Sequence, residues 1–308
     1  MKTFDVYPIF DIEIAKAKGS YLWDKAGKKY LDMYGGHAVI SIGHSHPHYV
    51  KSIANQLENI GFYSNSLKIS QQDILAEKLG KLSGCEEYQL FLCNSGAEAN
   101  ENAFKAASFY NGRKKIIAFS QAFHGRTSLA VAATDNKGIV APVNETSNIV
   151  FLPFNDISRF EEEMNEEVCA VIVEGVQGVG GVNIPTKEFL QSIQKKCEDF
   201  GAIFIMDEIQ SGYGRTGKFF AFQHAEVQPD IITTAKGMGN GFPVAGVLLH
   251  PKIQPKMGML GTTFGGNYLA CASAQAVLDV IDDEKLIENA HQKGEYLKTH
   301  LKGLSKVK

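Results

Sequence analysis

A lysine that follows an apolar run is the most reactive side chain in this sequence. Lys236 comes just after the run Ile231–Thr234, and three glycines lie within the next five residues. Glycines allow a flat ligand to approach the backbone closely, and a desolvated lysine amine can form a Schiff base with a carbonyl group. An ordinary loop lysine that extends into solvent is the alternative, and this stretch alone does not separate the two.

An acidic residue ends a second apolar run. Asp207 follows Ala202–Met206. A carboxylate at the end of a buried strand loses its hydration, and this is costly unless a positive charge compensates. Two partners satisfy this need: a structural lysine or arginine, or the protonated nitrogen of a bound cofactor.

A third run leads into a segment with the features of a capped helix. Asn94–Glu101 follows Tyr88–Cys93, and within it Ser95 is a favourable N-cap with Glu98 three residues further on. A helix that begins at Gly96 directs free backbone N–H groups and the positive end of its dipole toward an anion. An ordinary capped turn without a ligand is the alternative.

A fourth run is followed by an aromatic ring, a histidine and an arginine. Phe123, His124 and Arg126 come after Lys115–Phe119. Such a loop suits stacking on a flat ring and binding of a carboxylate, although a surface turn with an exposed arginine also fits. Together the four segments match the needs of pyridoxal 5'-phosphate, which are a phosphate site, ring stacking, a partner for the pyridinium nitrogen and an imine-forming lysine.

The apolar runs before these groups define the fold class. They are short, rich in Ile and Val, and do not alternate strictly, as is typical of strands buried on both faces of a mostly parallel sheet. The predicted strands are Tyr88–Cys93, Lys115–Phe119, Ile149–Leu152, Val168–Val173, Ala202–Met206, Ile231–Thr234 and Val244–Leu249. Ligands of such sheets bind beyond the carboxyl ends of the strands. The sequence therefore predicts an α/β protein whose site lies at that edge.

Helices and a β-rich entry segment complete the predicted organisation. Helical spacing of apolar residues predicts helices over 47–60 and 71–82, and two successive helices over 266–282 and 283–302. Short runs around a glycine turn predict a hairpin or meander within residues 1–35. A length of 308 residues corresponds to about two domains.

Composition and charge exclude several classes of protein. Hydrophobic residues make up 44% of the chain and charged residues 21%, which suits a globular protein with a sizeable core. A net charge of −3 provides no long-range attraction to nucleic acid or to an anionic membrane. The five cysteines form no CxxC pair, and no apolar run approaches the ~18 residues of a membrane span. We expect a cytoplasmic protein.

Several histidines suggest a metal site at first sight. His44, His46 and His48 alternate along the chain, and His124 is a further candidate. No cysteine or acid cluster accompanies them, so we interpret them as loop and supporting residues and predict no metal site.

Motifs along nearly the whole chain resemble the class III aminotransferases, which are pyridoxal-phosphate enzymes of fold type I. Within this family, the sequence is most similar to the acetylornithine aminotransferase group. The motifs are Tyr30-Leu31-Asp32, Gly43-His44-Ser45-His46-Pro47, Asn94-Ser95-Gly96-Ala97-Glu98-Ala99-Asn100-Glu101, Phe123-His124-Gly125-Arg126-Thr127, Glu174-Gly175-Val176-Gln177-Gly178, Asp207-Glu208-Ile209-Gln210, Ala235-Lys236-Gly237 and Gly261-Thr262-Thr263-Phe264-Gly265-Gly266-Asn267.

The resemblance implies a role for each matching residue. Lys236 would link covalently to the cofactor and Asp207 would pair with its pyridinium nitrogen. The remaining cofactor contacts would come from Ser95, Gly96 and Ala97 at the phosphate, Phe123 and Ile209 on the two ring faces, and Gln210 near the ring hydroxyl. Arg126 would bind a substrate carboxylate and Thr262 would lie near the substrate. Thr263 would reach the phosphate of a neighbouring subunit, which implies a homodimer with a shared site.

The implied reaction is transfer of the δ-amino group of N-acetylornithine or N-succinylornithine to 2-oxoglutarate. The products would be an N-acylglutamate semialdehyde and glutamate, in arginine or lysine biosynthesis. The resemblance also implies an N-terminal segment of the small domain over 1–47, a large cofactor domain over 48–275 and linking helices over 276–308. Relatives continue into a C-terminal small domain with a second carboxylate-binding arginine, so we expect that domain to be incomplete here.

One departure from the family pattern concerns specificity. Many relatives have a stretch that begins Glu-Pro and a glutamate after its Gln-Gly pair, where this chain has Gly175 and Val179. The missing negative charge leads to the hypothesis that the pocket tolerates an anionic acyl group such as succinyl. Two alternatives to the acylornithine reaction stay open: another ω-aminotransferase that acts on ornithine or 4-aminobutyrate, and a cofactor-binding chain with impaired turnover.

Overall fold

Two β-sheets lie within residues 1–304, which are the residues that the computed structural model of the protein describes. The first is a three-stranded antiparallel sheet of β1 (Ile14–Lys18), β2 (Tyr21–Asp24) and β3 (Lys29–Leu31). The second has seven strands: β4 (Gln89–Cys93), β5 (Lys115–Phe119), β6 (Ile149–Leu152), β7 (Val168–Glu174), β8 (Ile203–Asp207), β9 (Ile231–Thr234) and β10 (Ala245–Leu249).

Helices of very different length connect and cover these strands. In the same residues they are α1 (Gly35–Ala38), α2 (Pro47–Asn59), α3 (Ser70–Ser83), α4 (Gly96–Asn111), α5 (Ser128–Ala132), α6 (Ile157–Glu163), α7 (Lys187–Phe200), α8 (Tyr268–Asp283) and α9 (Leu286–Leu301). Short 3-10 turns cover Lys137–Ile139, Pro142–Asn144, Ala221–His224 and Lys236–Met238.

The strand order of the large sheet is β4-β10-β9-β8-β7-β5-β6. Strand β10 runs antiparallel to both of its neighbours, and the other strands are parallel to one another. Every residue of β7, β8, β9 and β10 is buried, which explains their continuous apolar sequences. The prediction of a mostly parallel α/β sheet is confirmed.

Alternate residues of the central strands belong to two hydrophobic clusters, one on each face of the sheet. Phe204 and Met206 of β8 belong to a cluster with residues of α3, α7 and α8. Ile203 and Ile205 belong to a second cluster, whose helical residues come from α4. Since side chains alternate between the faces of a strand, α4 covers one face and α3, α7 and α8 cover the opposite one.

The predicted elements agree closely with the observed ones. The seven predicted strands correspond to β4–β10, and the helices predicted over 47–60 and 71–82 are α2 and α3. The two C-terminal predictions correspond to α8 and α9, which both begin slightly later than predicted. For α8 the reason is that Asn267 caps the helix by accepting the backbone N–H of Ala270. The antiparallel β1–β3 sheet confirms the meander. The domain boundaries stay a prediction, and residues 305–308 of the C-terminal range lie outside the described residues.

No helix between residues 1 and 304 combines the length and the apolar character needed to cross a membrane.

Candidate active site

A cavity of about 380 Å³ lies at the carboxyl ends of the parallel strands, beside the start of α4. It is the place where loops after β5, β7, β8 and β9 meet, as expected for a doubly covered parallel sheet. Nine of the predicted site residues line it: Ser95, Gly96, Ala97, Phe123, Arg126, Asp207, Ile209, Gln210 and Lys236. The other two, Thr262 and Thr263, do not.

The first turn of α4 forms one wall of the cavity. Ser95 is the N-cap, and its Oγ accepts the backbone N–H of Glu98 at 3.2 Å. A Cβ atom at Gly96 would approach Cδ1 of Ile209 to 2.9 Å, so glycine allows the helix start to lie directly against the opposite wall. The leading N–H groups of a 16-residue helix carry its positive dipole end, and this wall therefore suits a phosphate.

The carboxyl group of Asp207 is buried at the end of β8 and accepts three hydrogen bonds. Its Oδ2 accepts hydrogen bonds from Nδ1 of His124 and from Nδ2 of Asn100, both at 2.8 Å. Its Oδ1 accepts the backbone N–H of Ile209 at 3.1 Å. Within residues 1–304 no lysine or arginine forms an ion pair with this carboxyl group, so a structural lysine or arginine is not its partner. A cationic ring nitrogen in the cavity fits this acceptor.

Lys236 stands at the inner end of the cavity in an unusual backbone conformation. Its φ of 41° lies in the left-handed region, which is uncommon for a side chain with a Cβ and is often found at functional sites. Burial lowers the pKa of the half-buried amine, although Asp207 and Glu174 partly oppose this effect. The structure shows no hydrogen bond or ion pair from its Nζ to another described residue. The amine is thus available to a ligand.

Two side chains flank the space between the α4 wall and Lys236. Phe123 and Ile209 are partly buried and both line the cavity. Phe123 is held by its backbone N–H, which donates to Oε1 of Glu174 at 3.0 Å. An aromatic side chain and a branched aliphatic one are suitable surfaces for the two faces of a flat ring. Together with the α4 wall, Asp207 and Lys236, these surfaces fit pyridoxal phosphate.

Gln210 and Arg126 lie nearer the outside. The Nε2 of Gln210 donates to the backbone oxygen of His37 in α1 at 3.3 Å, and the end of the Gln210 side chain lies directly against Gly178, where a Cβ would displace it. Arg126 is exposed and forms no hydrogen bond or ion pair with any residue of the described chain. Its guanidinium group can therefore bind a carboxylate that enters the cavity.

The two threonines lie in the loop before α8. Oγ1 of Thr262 accepts hydrogen bonds from Nδ2 of Asn94 at 3.3 Å and from the backbone of Gly265 at 3.1 Å. This loop is therefore adjacent to the start of α4. Thr263 is exposed, outside the cavity of its own chain.

Sequence reasoning missed two members of this site, Asn100 and Glu174. Glu174 follows a buried apolar run directly, which is the same signal that identified Asp207. Asn100 is the polar residue on a helix face whose other buried residues are alanines and Phe104, and that pattern indicates a residue with a specific partner.

The histidines near the N-terminus bind separate carboxylates. His44 pairs with Asp32 at 2.7 Å, His46 with Glu284 at 2.9 Å and His48 with Asp279 at 3.2 Å. Residues 1–304 contain no group of three or more potential ligands that could hold a metal ion.

Comparisons with known proteins give consistent results. The family profile described as Aminotransferase class-III matches residues 4–308. Acetylornithine aminotransferase from Bacillus subtilis (strain 168) is 43% identical over 302 residues, which cover 97% of this chain and 78% of the relative. Acetylornithine/succinyldiaminopimelate aminotransferase from Yersinia pestis is 41% identical over 292 residues, with 90% and 70% covered.

A solved structure extends the likeness to the fold. Taurine:2-oxoglutarate aminotransferase from Bifidobacterium kashiwanohense, in complex with pyridoxal phosphate and glutamate, superposes with a TM-score of 0.90 at 28% identity. The match covers 99% of this chain and 75% of that structure.

Proposed function

This chain belongs to the class III aminotransferases, which are pyridoxal-phosphate enzymes, and from that premise we propose its substrates. We propose that it transfers the δ-amino group of N-acetylornithine or N-succinylornithine to 2-oxoglutarate. The products are an N-acylglutamate semialdehyde and glutamate, and the reaction belongs to arginine biosynthesis in the cytoplasm. The names of the relatives from Bacillus subtilis and Yersinia pestis support this choice.

The cofactor contacts follow from the walls of the cavity. The backbone of Ser95, Gly96 and Ala97 would bind the phosphate, and Phe123 and Ile209 would pack on the two faces of the ring. Asp207 would accept a hydrogen bond from the protonated ring nitrogen, and Gln210 would lie on the side of the ring hydroxyl. When bound, the cofactor supplies a protonated ring that withdraws electrons from the substrate carbon.

Lys236 performs the proton transfer. Its Nζ would link covalently to the cofactor, and its free amine would accept a proton from the substrate carbon and donate the same proton again later in the reaction. A general base must be neutral to accept a proton, and burial lowers the pKa of this amine in the required direction. Asp207 stays in place throughout, because three donors hold its carboxyl group.

The choice of substrate is supported mainly by the residues that line the outer part of the cavity. Arg126 lies there without a partner among residues 1–304, and the neighbouring lining residues Val39, Val179 and Phe242 are apolar and partly exposed. The two acids of the lining, Glu174 and Asp207, are both buried at the inner end. Arg126 suits an α-carboxylate, and the apolar rim favours an acylated amine over the free ammonium group of ornithine.

We further propose that the active form is a homodimer. Thr263 is exposed on a loop next to the start of α4, outside the cavity of its own chain. This position suits contact with the phosphate of a second subunit, while Thr262 lies near the substrate. The sedimentation coefficient of the cofactor-loaded protein tests the assembly.

A substrate panel tests the reaction. The cofactor-loaded chain is assayed with 2-oxoglutarate and N-acetylornithine, N-succinylornithine, ornithine or 4-aminobutyrate, and kcat/KM is compared. We expect the acylornithines to be preferred, and Arg126→Ala to raise KM for them by about tenfold or more, since a charge-assisted pair is worth roughly 1.5–3 kcal/mol. Arg159→Ala, a surface arginine of α6 paired with Glu162, is the matched control.

Each other outcome of the panel has a clear meaning. Preference for ornithine or 4-aminobutyrate would replace the acylornithine proposal with another ω-aminotransferase activity. Cofactor binding without turnover of any amine would support the impaired-turnover alternative instead.

A further inference from the structure

Asn100 joins four parts of the fold around one carboxyl group. Its side chain is completely buried in α4. Nδ2 donates to Oδ2 of Asp207 at 2.8 Å and to the backbone oxygen of His124 at 2.7 Å, while Oδ1 accepts the hydroxyl of Thr233 at 2.8 Å. The amide thus connects α4 with the loop after β5, the end of β8 and the middle of β9.

These partners determine which way the amide points. The carboxylate of Asp207 and the carbonyl of His124 can only accept hydrogen bonds, so the NH₂ group must face them. The hydroxyl of Thr233 then donates to the remaining oxygen. All of these groups are buried, and a flipped amide would leave several of them unsatisfied at a cost of about 1–3 kcal/mol each.

The same contacts restrict the carboxyl group of Asp207. Asn100 and His124 both hold Oδ2, and the backbone of Ile209 holds Oδ1. A carboxylate has about four acceptor positions, so at least one stays free for a ligand in the cavity that Asp207 lines. Because Asn100 also binds Thr233, three residues before Lys236, it connects this carboxylate to the strand that leads into the lysine.

We propose that Asn100 is a positioning residue, which orients the carboxylate of Asp207 toward the ring nitrogen of the cofactor. The inference rests on the function proposed above and goes beyond it, since Asn100 does not line the cavity and acts through Asp207. If Asn100 is replaced, the ring nitrogen should be protonated less completely. A less positive ring repels a protonated lysine nitrogen less, so that nitrogen should titrate at higher pH.

The experiment compares Asn100→Leu and Thr233→Val with a control on the same helix, Asn111→Leu. Leucine is close to asparagine in size but removes every hydrogen bond, and valine has the shape of threonine without its hydroxyl. Asn111 also bridges α4 to a strand, since its Nδ2 donates to the backbone oxygen of Cys169 at 2.8 Å, but it lies at the far end of the helix. Thermal unfolding of each cofactor-free variant reports stability separately.

Two readouts without substrate decide the matter: the Kd for pyridoxal phosphate, and the pH midpoint of the absorbance of the lysine-bound cofactor. We expect Asn100→Leu to raise Kd by about tenfold or more and to move the midpoint upward, with a smaller change in the same direction for Thr233→Val. Asn111→Leu should lower thermal stability and leave both readouts at wild-type values.

The outcomes separate this inference from the proposed function. Asn100→Leu with wild-type Kd and midpoint, or changes equal to those of Asn111→Leu, would overturn the positioning role while the wild type still binds the cofactor. If Asn100→Leu does not fold, Thr233→Val decides by the same two readouts. A wild-type chain that forms no lysine-dependent absorbance would instead overturn the cofactor contacts proposed above.

Discussion

Glu174 and Asp207 lie opposite each other at the ends of the parallel strands β7 and β8, so that two carboxyl groups line one cavity. Burial raises the pKa of Glu174 to about 7, while His124 favours its charged form. The Oε1 of Glu174 also accepts the backbone N–H of Phe123. The loop that carries Phe123 is therefore held by a carboxyl group whose charge changes near neutral pH.

We expect Glu174→Gln to gain stability relative to the wild type as pH rises from about 5 to about 8. The folded-state pKa lies above the ordinary 4.5, so the folded protein binds this proton more tightly than the unfolded chain does. Wild-type stability therefore falls as pH rises through this window, and glutamine, which mimics the neutral acid, avoids the loss. The difference should be about 1–3 kcal/mol, measured by urea unfolding without cofactor at both pH values.

The control for this comparison is Glu87→Gln, which changes an exposed glutamate of the same type. It reports the general effect of replacing a surface carboxylate by an amide, which should change the free energy of unfolding by no more than about 0.5 kcal/mol. An equal advantage of Glu174→Gln at both pH values would contradict the buried-acid interpretation.

Lys236→Ala should abolish covalent capture of the cofactor. In the wild type, borohydride reduction should fix pyridoxal phosphate to the protein, and intact mass should show one added cofactor per chain. Loss of the amine also removes the proposed proton carrier, so kcat should fall by about 10²–10⁴-fold. Lys218→Ala, at an exposed position, should keep both the label and the turnover. A label that persists in Lys236→Ala would refute the lysine assignment.

The sequence predicted the strands and most of the cavity lining for the same reason. Parallel strands bring their carboxyl ends to one edge, so residues after Cys93, Phe119, Met206 and Thr234 had to converge once the runs were identified as strands. Strand order could not be predicted in this way. Strand β10 has the same buried apolar pattern as its parallel neighbours, and nothing local shows that it inserts antiparallel between β4 and β9.

The hydrogen bonds that hold the carboxyl group of Asp207 could not be predicted from the sequence either. Asn100 and Asp207 are 107 residues apart, and their contact depends on how α4 packs across the sheet. The sequence identifies His124 only as a loop residue, because its pairing with Asp207 depends on the relative position of two strand ends. Such long-range hydrogen bonds are a property of the assembled fold and leave little trace in local spacing.

Gly96→Ala should weaken cofactor binding by moving a wall of the cavity. The added Cβ would lie 2.9 Å from both Cδ1 and Cγ2 of Ile209, so that side chain, which also lines the cavity, must shift. We expect the Kd for pyridoxal phosphate to rise by about tenfold and the free energy of unfolding to fall by about 1–3 kcal/mol.

A glycine in open surroundings is the control for this substitution. Gly294 lies inside α9 with no atom within 4 Å of its ideal Cβ position. Gly294→Ala should leave Kd unchanged and stabilise the helix by about 0.5–1 kcal/mol. If Gly96→Ala binds the cofactor as the wild type does, close packing of α4 on Ile209 has no part in forming the site.

Val179→Glu should change the choice between acyl groups. Val179 lines the cavity and is 61% exposed, which places it at the rim where the acyl group of a substrate would pass. A glutamate there would repel a succinyl carboxylate and leave an acetyl group unaffected, and at a solvated rim this is worth about 1 kcal/mol. The ratio of kcat/KM for N-succinylornithine to that for N-acetylornithine should therefore fall about fivefold.

Val182→Glu separates this local repulsion from a general effect of added charge. Val182 is 68% exposed and lies three residues further along the same loop, but it does not line the cavity. The substitution adds the same charge to the same loop, so it should leave the succinyl to acetyl ratio close to the wild-type value. An unchanged ratio in Val179→Glu, or equal changes in both variants, would show that the absence of a carboxylate at this position does not determine which acyl group is accepted.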